Sequence, residues 1–337
     1  MIRMVGSTYQ YQGQRLQQPE VIFVQDHHYD QQDMTSPVQA LLANSECDAQ
    51  EHLVVFDHVL QHDDSLKDFD LICMPLFLIG AAQQFNQQGI QASWGNKTHT
   101  FNFMINKPRL HREFLLVLIS HFGLENYAHT LCWKQVTVSQ ELGPYTEQFR
   151  NTAITVPPCQ WLLGQENLLD RGLQYGHVTN SENYQQFLQQ NVFEPSFVSL
   201  ITEPAFRERE TIVTEKTIMA LLGGTLPIWV GGWRIADYMR SLGFDVFDDI
   251  IDHGYQDLAD PWDRCYHAVA CNLHLLQDQN VVHTFFQKNQ SRFQHNLDLI
   301  RQNVFQTAAL DLVGRLDAHQ QQRLAQIPEI QRLTWNK

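Results

Sequence analysis

The sequence has few cysteines and no long hydrophobic run, and each of these shortages excludes a class of protein. Its six cysteines include no closely spaced pair of the zinc or thioredoxin type, which predicts buried thiols in a reducing compartment and no disulfides. The longest uncharged stretch, about 17 residues between Lys216 and Arg234, is too short to span a bilayer and contains Pro227. The N-terminus lacks the apolar core of a signal peptide, so we expect a cytoplasmic protein without a membrane span.

Positive charge is also scarce. The chain has 23 lysines and arginines against 37 aspartates and glutamates, a formal net charge of −14 at pH 7. Charge of this sign opposes non-specific binding to phosphate backbones and anionic lipids, so a nucleic-acid partner would need a local basic surface. Intrinsic disorder is excluded, because 43% of the 337 residues are hydrophobic and a chain of this length buries about 75% of its unfolded surface.

Short apolar runs in the first part of the chain predict buried strands at Val21–Val24, Leu53–Phe56 and Leu71–Met74. A helix around Pro37–Ala43 separates the first two. Alternation of strands and helices favours an α/β fold with a parallel sheet. The polar, glycine-containing segment Gln91–His99 is the best candidate for a linker.

A second α/β unit follows, with the strand-helix order of a parallel sheet. The predicted elements are a strand at Phe101–Ile105, a helix at His111–Phe122, a strand at Phe197–Ile201, a helix from Thr214 to Gly223, a strand at Leu226–Val230 and a helix at Ile235–Leu242. We therefore divide the chain into an N-terminal α/β domain (1–97), a second α/β domain (98–290) and a C-terminal helical segment (291–337). The apolar spacing of Phe293, Leu297, Ile300 and Val304 predicts that this last segment is a packing helix.

One candidate site lies where the helix at Thr214 begins. The Thr214 hydroxyl suits an N-cap, and the next residue, Glu215, is favoured beside a helix N-terminus and can accept hydrogen bonds from ribose hydroxyls. Lys216, followed by Thr217, adds a cation where free amides already point, an arrangement that suits a diphosphate. The alternative interpretation is an ordinary capped surface helix.

A second candidate site follows the strand Phe101–Ile105. Lys107, Arg109, His111 and Arg112 place four potentially cationic side chains at the carboxyl end of a parallel strand, which is where open α/β sheets bind ligands. The alternative is a solvated basic turn.

These motifs carry a resemblance to a known family. The run VTEKTIMALLGGTLPIWVGG at 213–232, together with FVSLITE and NKPRLHR upstream, resembles the nucleotide-sugar domain of GT-B glycosyltransferases of the α-1,3-fucosyltransferase type, including related bacterial and phage transferases. The resemblance covers approximately 101–257. It implies a GT-B-like fold, in which two Rossmann-like domains face each other across a cleft.

The resemblance also implies an activity and roles for residues. It implies a hexosyl- or pentosyltransferase that is metal-independent, needs no cofactor, and moves a sugar from a nucleotide diphosphate sugar to a hydroxyl acceptor. Glu215 and Lys216 take the family's positions that bind the donor ribose and diphosphate, and Arg109 or Arg112 that of a phosphate-neutralising arginine. The family usually has Glu-Asn-Ser where this chain has Ile201-Thr202-Glu203-Pro204. The resemblance therefore leaves open which nucleotide base and which sugar the donor carries.

A general base must deprotonate the acceptor, and we expect it in the N-terminal domain. Asp26 and His27 directly follow the strand Val21–Val24, and the pair Asp57-His58 after the next strand is a second candidate. A polar turn is the alternative interpretation of either pair. The acidic run from Asp248 to Asp257 is explained by capping and solubility, and we predict no metal site.

Two other functions remain open on the sequence. One is a phage-type transferase that glycosylates a modified base in DNA. The other is a non-catalytic nucleotide-binding module of the same fold, since a fold does not fix a function.

Overall fold

The structure is a computed structural model, and it describes residues 2–4, 21–24, 53–56, 59–60, 70–92, 94–95, 97–105, 110–124, 126–132, 193–203 and 210–325. Within these residues the chain is a mixed α/β protein with short parallel sheets and ten helices. The predicted α/β class is therefore confirmed. The GT-B arrangement of two domains across a cleft, and the three-part division of the chain, stay predictions.

The N-terminal strands form a parallel sheet. They are β1 (Ile2–Met4), β2 (Val21–Val24), β3 (Leu53–Phe56), the short β4 (Val59–Leu60) and β5 (Asp70–Cys73). The sheet has the order β1-β2-β3-β5, and all its pairs are parallel. The three strands predicted here are confirmed, with the last one starting a residue earlier. The helix predicted around Pro37–Ala43 lies outside the described residues.

The second sheet is also parallel. The strands and helices predicted after residue 98 are confirmed. Its strands and those beside it are β6 (His99–Ile105), β7 (Ala128–Cys132), β8 (Ser196–Ile201), β9 (Glu210–Thr211) and β10 (Leu226–Trp229). The order is β10-β8-β6-β7, while β9 pairs antiparallel with β4. All six residues of β8 are buried, as expected for a parallel strand covered on both faces.

Helices follow several of the strands and make up most of the described chain after β10. They are α1 (Leu76–Gln87), α2 (Leu110–His121), α3 (Glu215–Leu222), α4 (Ile235–Ser241), α5 (Pro261–Ala270), α6 (Leu273–Gln277), α7 (Gln279–Lys288), α8 (Gln290–Arg301), α9 (Val304–Arg315) and α10 (Ala318–Leu324). The apolar run at 244–247 is not helical; its phenylalanines Phe244 and Phe247 are buried in a loop.

The predicted C-terminal packing helix is three helices, α8 to α10. The helical run is interrupted at Asn303, which has a left-handed backbone conformation (φ 47°). Its side chain caps α9 by accepting a hydrogen bond from Gln306 N. Asparagine tolerates this conformation better than most residues, and its short side chain can cap a helix. The segment packs on α1, where Asn86 Nδ2 donates to Arg301 O at 2.9 Å.

The segment predicted as a linker packs closely onto the second sheet and α3. Trp94 Nε1 donates to Leu222 O at 2.9 Å, and a Cβ on Gly224, whose φ is +61°, would lie 2.9 Å from the Trp94 ring. Lys97 Nζ donates to the carbonyls of Ser196 (2.6 Å) and Gly223 (2.8 Å). Burial lowers the pKa of Lys97 to about 7, although Glu194 opposes the shift.

Arg292 of α8 fixes the loop 245–249 against the helical layer. Its guanidinium donates to both carboxylate oxygens of Asp245 and of Asp249 and lies 5.0 Å from the ring centroid of Phe247. Burial tends to raise the pKa of Asp245, but hydrogen bonds from Arg292 and from Phe247 N outweigh it and lower the pKa. Hydrogen bonds from Arg292 lower the pKa of Asp249.

We expect Arg292→Ala to lower the free energy of unfolding by about 1–2 kcal/mol at pH 7, since two paired carboxylates lose their partner. The pKa values of Asp245 and Asp249 are lower in the folded protein than in the unfolded chain, where they lie near 4. The two carboxylates therefore stabilise the fold above about pH 4, and this stabilisation is lost as the pH falls through their folded pKa values. The difference between wild type and variant should therefore shrink below about pH 4. Urea titrations at several pH values measure it.

Arg315→Ala is the matched control, because within the described part of the chain this exposed arginine donates only to Asp311 O in α9. A pH-independent loss in the Arg292 variant, or an equal loss in the control, would contradict this account.

Candidate functional site

The strand order places a topological switch point between β6 and β8. From β6 the chain moves to β7 on one side, and it later returns to β8 on the other side. In open parallel sheets, ligands bind beyond the carboxyl ends of the strands at such a switch point. The two clusters predicted from sequence follow β6 and β8, so the topology brings both to this edge.

The residues after β8 contact the first turn of α2 directly. His111 Nε2 donates to the backbone oxygen of Glu203 at 2.9 Å, and Arg112 Nη2 donates to that of Thr202 at 3.4 Å. His111 and Arg112 are both buried. His111 and Arg112, the described residues of the basic cluster, are thus joined to the residues after β8 through these two carbonyls. Arg109, Asp26 and His27 lie outside the described residues.

The side chain of Glu203 organises the start of α3. It is 1% exposed and accepts three hydrogen bonds: from Thr214 N (3.0 Å), from the Thr214 hydroxyl, and from the Thr217 hydroxyl (2.8 Å). The carboxylate therefore lies at the positive end of the helix dipole, where a negative charge is stabilised. Sequence reasoning missed this residue; the only local signal was an acidic residue two positions after a mostly apolar strand, and its partners are distant in sequence.

Thr214 is the N-cap of α3, as predicted, with an extended backbone (φ −119°, ψ −176°). Its hydroxyl lies 3.5 Å from Lys216 N and also accepts from Lys216 Nζ at 3.0 Å. Thr217 is fully buried, and its hydroxyl accepts from Trp229 Nε1 at 2.9 Å while donating to Glu203. In this structure Thr217 supports the site from inside the protein, and its predicted contact with a donor stays a prediction.

Lys216 lies between two carboxylates. Its Nζ is 3.5 Å from Glu215 Oε1 and 3.9 Å from Glu203 Oε2, and its side chain is 13% exposed. Glu215 is buried with a side chain 10% exposed. The Lys216 side chain is thus partly accessible at the start of α3, and its charge is balanced by two neighbouring carboxylates.

A short ribbon links the N-terminal part of the chain to this edge. Val59 of β4 pairs with Thr211 of β9, and Thr211 Oγ1 donates to Trp233 O at 2.8 Å. β9 lies three residues before Thr214 in sequence, and the candidate pair Asp57-His58 directly precedes β4. The pair itself lies outside the described residues.

The acidic run after α4 lines a separate surface cavity of about 500 Å³. Arg240 donates to Asp237 and Asp248 there, which neutralises part of the acidic charge. Burial lowers the pKa of His253, which donates through Nε2 to Val246 O. In the parts of the chain that the structure describes, no three His, Cys, Asp or Glu side chains are grouped so that they could hold a metal ion.

Comparisons with protein-family models, with curated proteins and with solved structures found no match to this chain. Among the described helices, none combines the length and the apolar character that a bilayer crossing requires.

We expect Thr217→Val to lower the free energy of unfolding by about 1–3 kcal/mol, because it removes a donor to the buried Glu203 and leaves Trp229 N–H without its acceptor. Valine has nearly the same shape, so the loss reports the hydrogen bonds and not a cavity. Urea unfolding followed by tryptophan fluorescence measures it. Thr307→Val on the exposed face of α9 is the control, with an expected change within about 0.5 kcal/mol; equal losses in both variants would refute the network.

Proposed function

We propose that the protein is a glycosyltransferase of GT-B-like organisation, which transfers a hexosyl or pentosyl group from a nucleotide diphosphate sugar to a hydroxyl acceptor. One observation carries the proposal: His111 and Arg112, from the basic cluster after β6, are linked to the Thr214–Thr217 motif at the switch point through Thr202 and Glu203. Two independent sequence clusters thereby contribute to one edge of one sheet.

In the proposed reaction the acceptor oxygen forms a bond to the anomeric carbon as the bond from that carbon to the diphosphate breaks. The acceptor proton goes to a general base, and the leaving diphosphate keeps the bonding electrons. Lys216, together with Arg109 or Arg112, stabilises this developing negative charge. Glu215 accepts hydrogen bonds from the donor ribose.

The N-terminal sheet supplies the acceptor side in this proposal. Asp26, with His27 beside it, is the proposed base because both follow the carboxyl end of β2. Asp57-His58 is the second candidate, and the pairing of β4 with β9 supports it by tying the next residues to the segment before Thr214.

We expect wild-type protein to be stabilised against heat by one of the uridine, guanosine, cytidine or thymidine diphosphates, since a ligand that binds only the folded state raises Tm by mass action. Lys216→Ala should weaken the best ligand at least tenfold, because a charge-assisted contact is lost. Titration calorimetry measures Kd. Lys288→Ala, at the end of α7, is the control and should not change it; normal binding by the Lys216 variant would refute the phosphate role.

We expect Asp26→Asn to leave diphosphate binding unchanged and to reduce sugar transfer at least a hundredfold, a loss typical of a missing general base. Release of free nucleotide diphosphate from a panel of nucleotide sugars, with and without glycan acceptors, measures transfer. Asp57→Asn is tested in parallel, and loss of transfer there alone would move the base to the second pair.

The same assay separates the other functions. Nucleotide binding without any turnover would identify a non-catalytic module. Transfer to duplex DNA containing a modified base, with a steep dependence on salt, would identify the DNA enzyme.

A further inference from the structure

The carboxylate of Glu203 has two separable effects at the start of α3. Its oxygen atoms hold the first turn, by accepting from Thr214 N and from the hydroxyls of Thr214 and Thr217. Its negative charge acts on Lys216, whose Nζ lies 3.9 Å from Oε2. The first effect needs an acceptor of the right shape, whereas the second needs a charge.

Lys216 and Glu203 differ in their access to solvent. The Lys216 side chain is 13% exposed and that of Glu203 is 1% exposed, so solvent reaches part of the lysine side chain and almost none of the glutamate. An anion bound at Nζ would still lie within a few ångströms of Oε2. The bound anion would therefore be attracted by Lys216 and repelled by Glu203.

We propose that Glu203 is a positioning residue that fixes Lys216 through Thr214 and, by its charge, keeps a diphosphate bound weakly enough to be released after transfer. The inference rests on the proposed function. Charges about 4–7 Å apart near a protein surface interact strongly enough to change a Kd about tenfold. Glu203 therefore sets the affinity of the site without contacting the ligand.

Glu203→Gln tests the charge while keeping the shape. Glutamine retains one oxygen for Thr214 N and Thr217, and its amide can donate to the Thr214 hydroxyl. The probe is inorganic pyrophosphate, titrated by calorimetry at two salt concentrations. We expect a Kd about tenfold lower than in wild type and a steeper salt dependence, because an anionic competitor is gone. A residue with only a structural role would give an unchanged or higher Kd.

Glu194→Gln is the matched control. Glu194 is also buried and lies two residues before the other end of β8, where its charge acts on Lys97. We expect no change in the pyrophosphate Kd. A tenfold gain there would attribute the effect to net charge and overturn the proposal.

Glu203→Asp provides a second variant should the glutamine variant not fold. Its carboxylate is withdrawn by one methylene from Lys216, so we expect tighter binding by a smaller factor. If wild type binds pyrophosphate through Lys216 but a folded Gln or Asp variant binds it equally or less tightly, the role of Glu203 is overturned and the proposed diphosphate site is not. Absence of that binding in wild type would overturn the proposed diphosphate site itself, and failure of both variants to fold would leave Glu203 a purely structural role.

Discussion

A buried carboxylate with every oxygen engaged is the interaction on which the rest of this edge depends. Glu203 cannot leave water without several hydrogen bonds, because an ionised carboxylate is expensive to bury unless it is paired. Thr214 and Thr217 supply those bonds, and they come from the first turn of α3. The end of β8 and the start of α3 are therefore fixed relative to each other before any ligand is present.

The parallel topology gives this interaction its location. Strands that run in the same direction end at the same edge, and the order β7-β6-β8-β10 separates the connections of β6 and β8 to opposite sides. His111 and Arg112 then reach the carbonyls of Glu203 and Thr202 from α2. Preorganisation of this kind is what an anion site needs, because donors that are already held in place lose little freedom on binding.

Much of the second sheet could be predicted from the sequence, because apolar runs, a threonine N-cap and terminal glycines are local signals. Glu203 could not be assigned, since its partners are 11 and 14 residues away and meet it only in the folded chain. The break at Asn303 was missed because the apolar spacing continues through it, while the backbone turns left-handed. Trp94 and Lys97 were assigned to a linker because their hydrogen-bond acceptors are distant in sequence. These acceptors are the backbone oxygens of Ser196, Leu222 and Gly223.

The net charge of the whole chain has little effect on the electrostatic potential at Lys216. At physiological ionic strength charges are screened within about 8 Å, so most of the −14 total is not felt at the start of α3. What an anion meets there is Lys216 with Glu203 and Glu215 beside it, and the carboxylates lower the local potential. The acidity of the whole chain is therefore compatible with the proposed diphosphate site at this edge of the sheet. In the proposed site, the strength of binding would be determined by the few charges nearest to Lys216, because these are the charges that act within the screening length. Those charges would balance capture of the donor against release of the product.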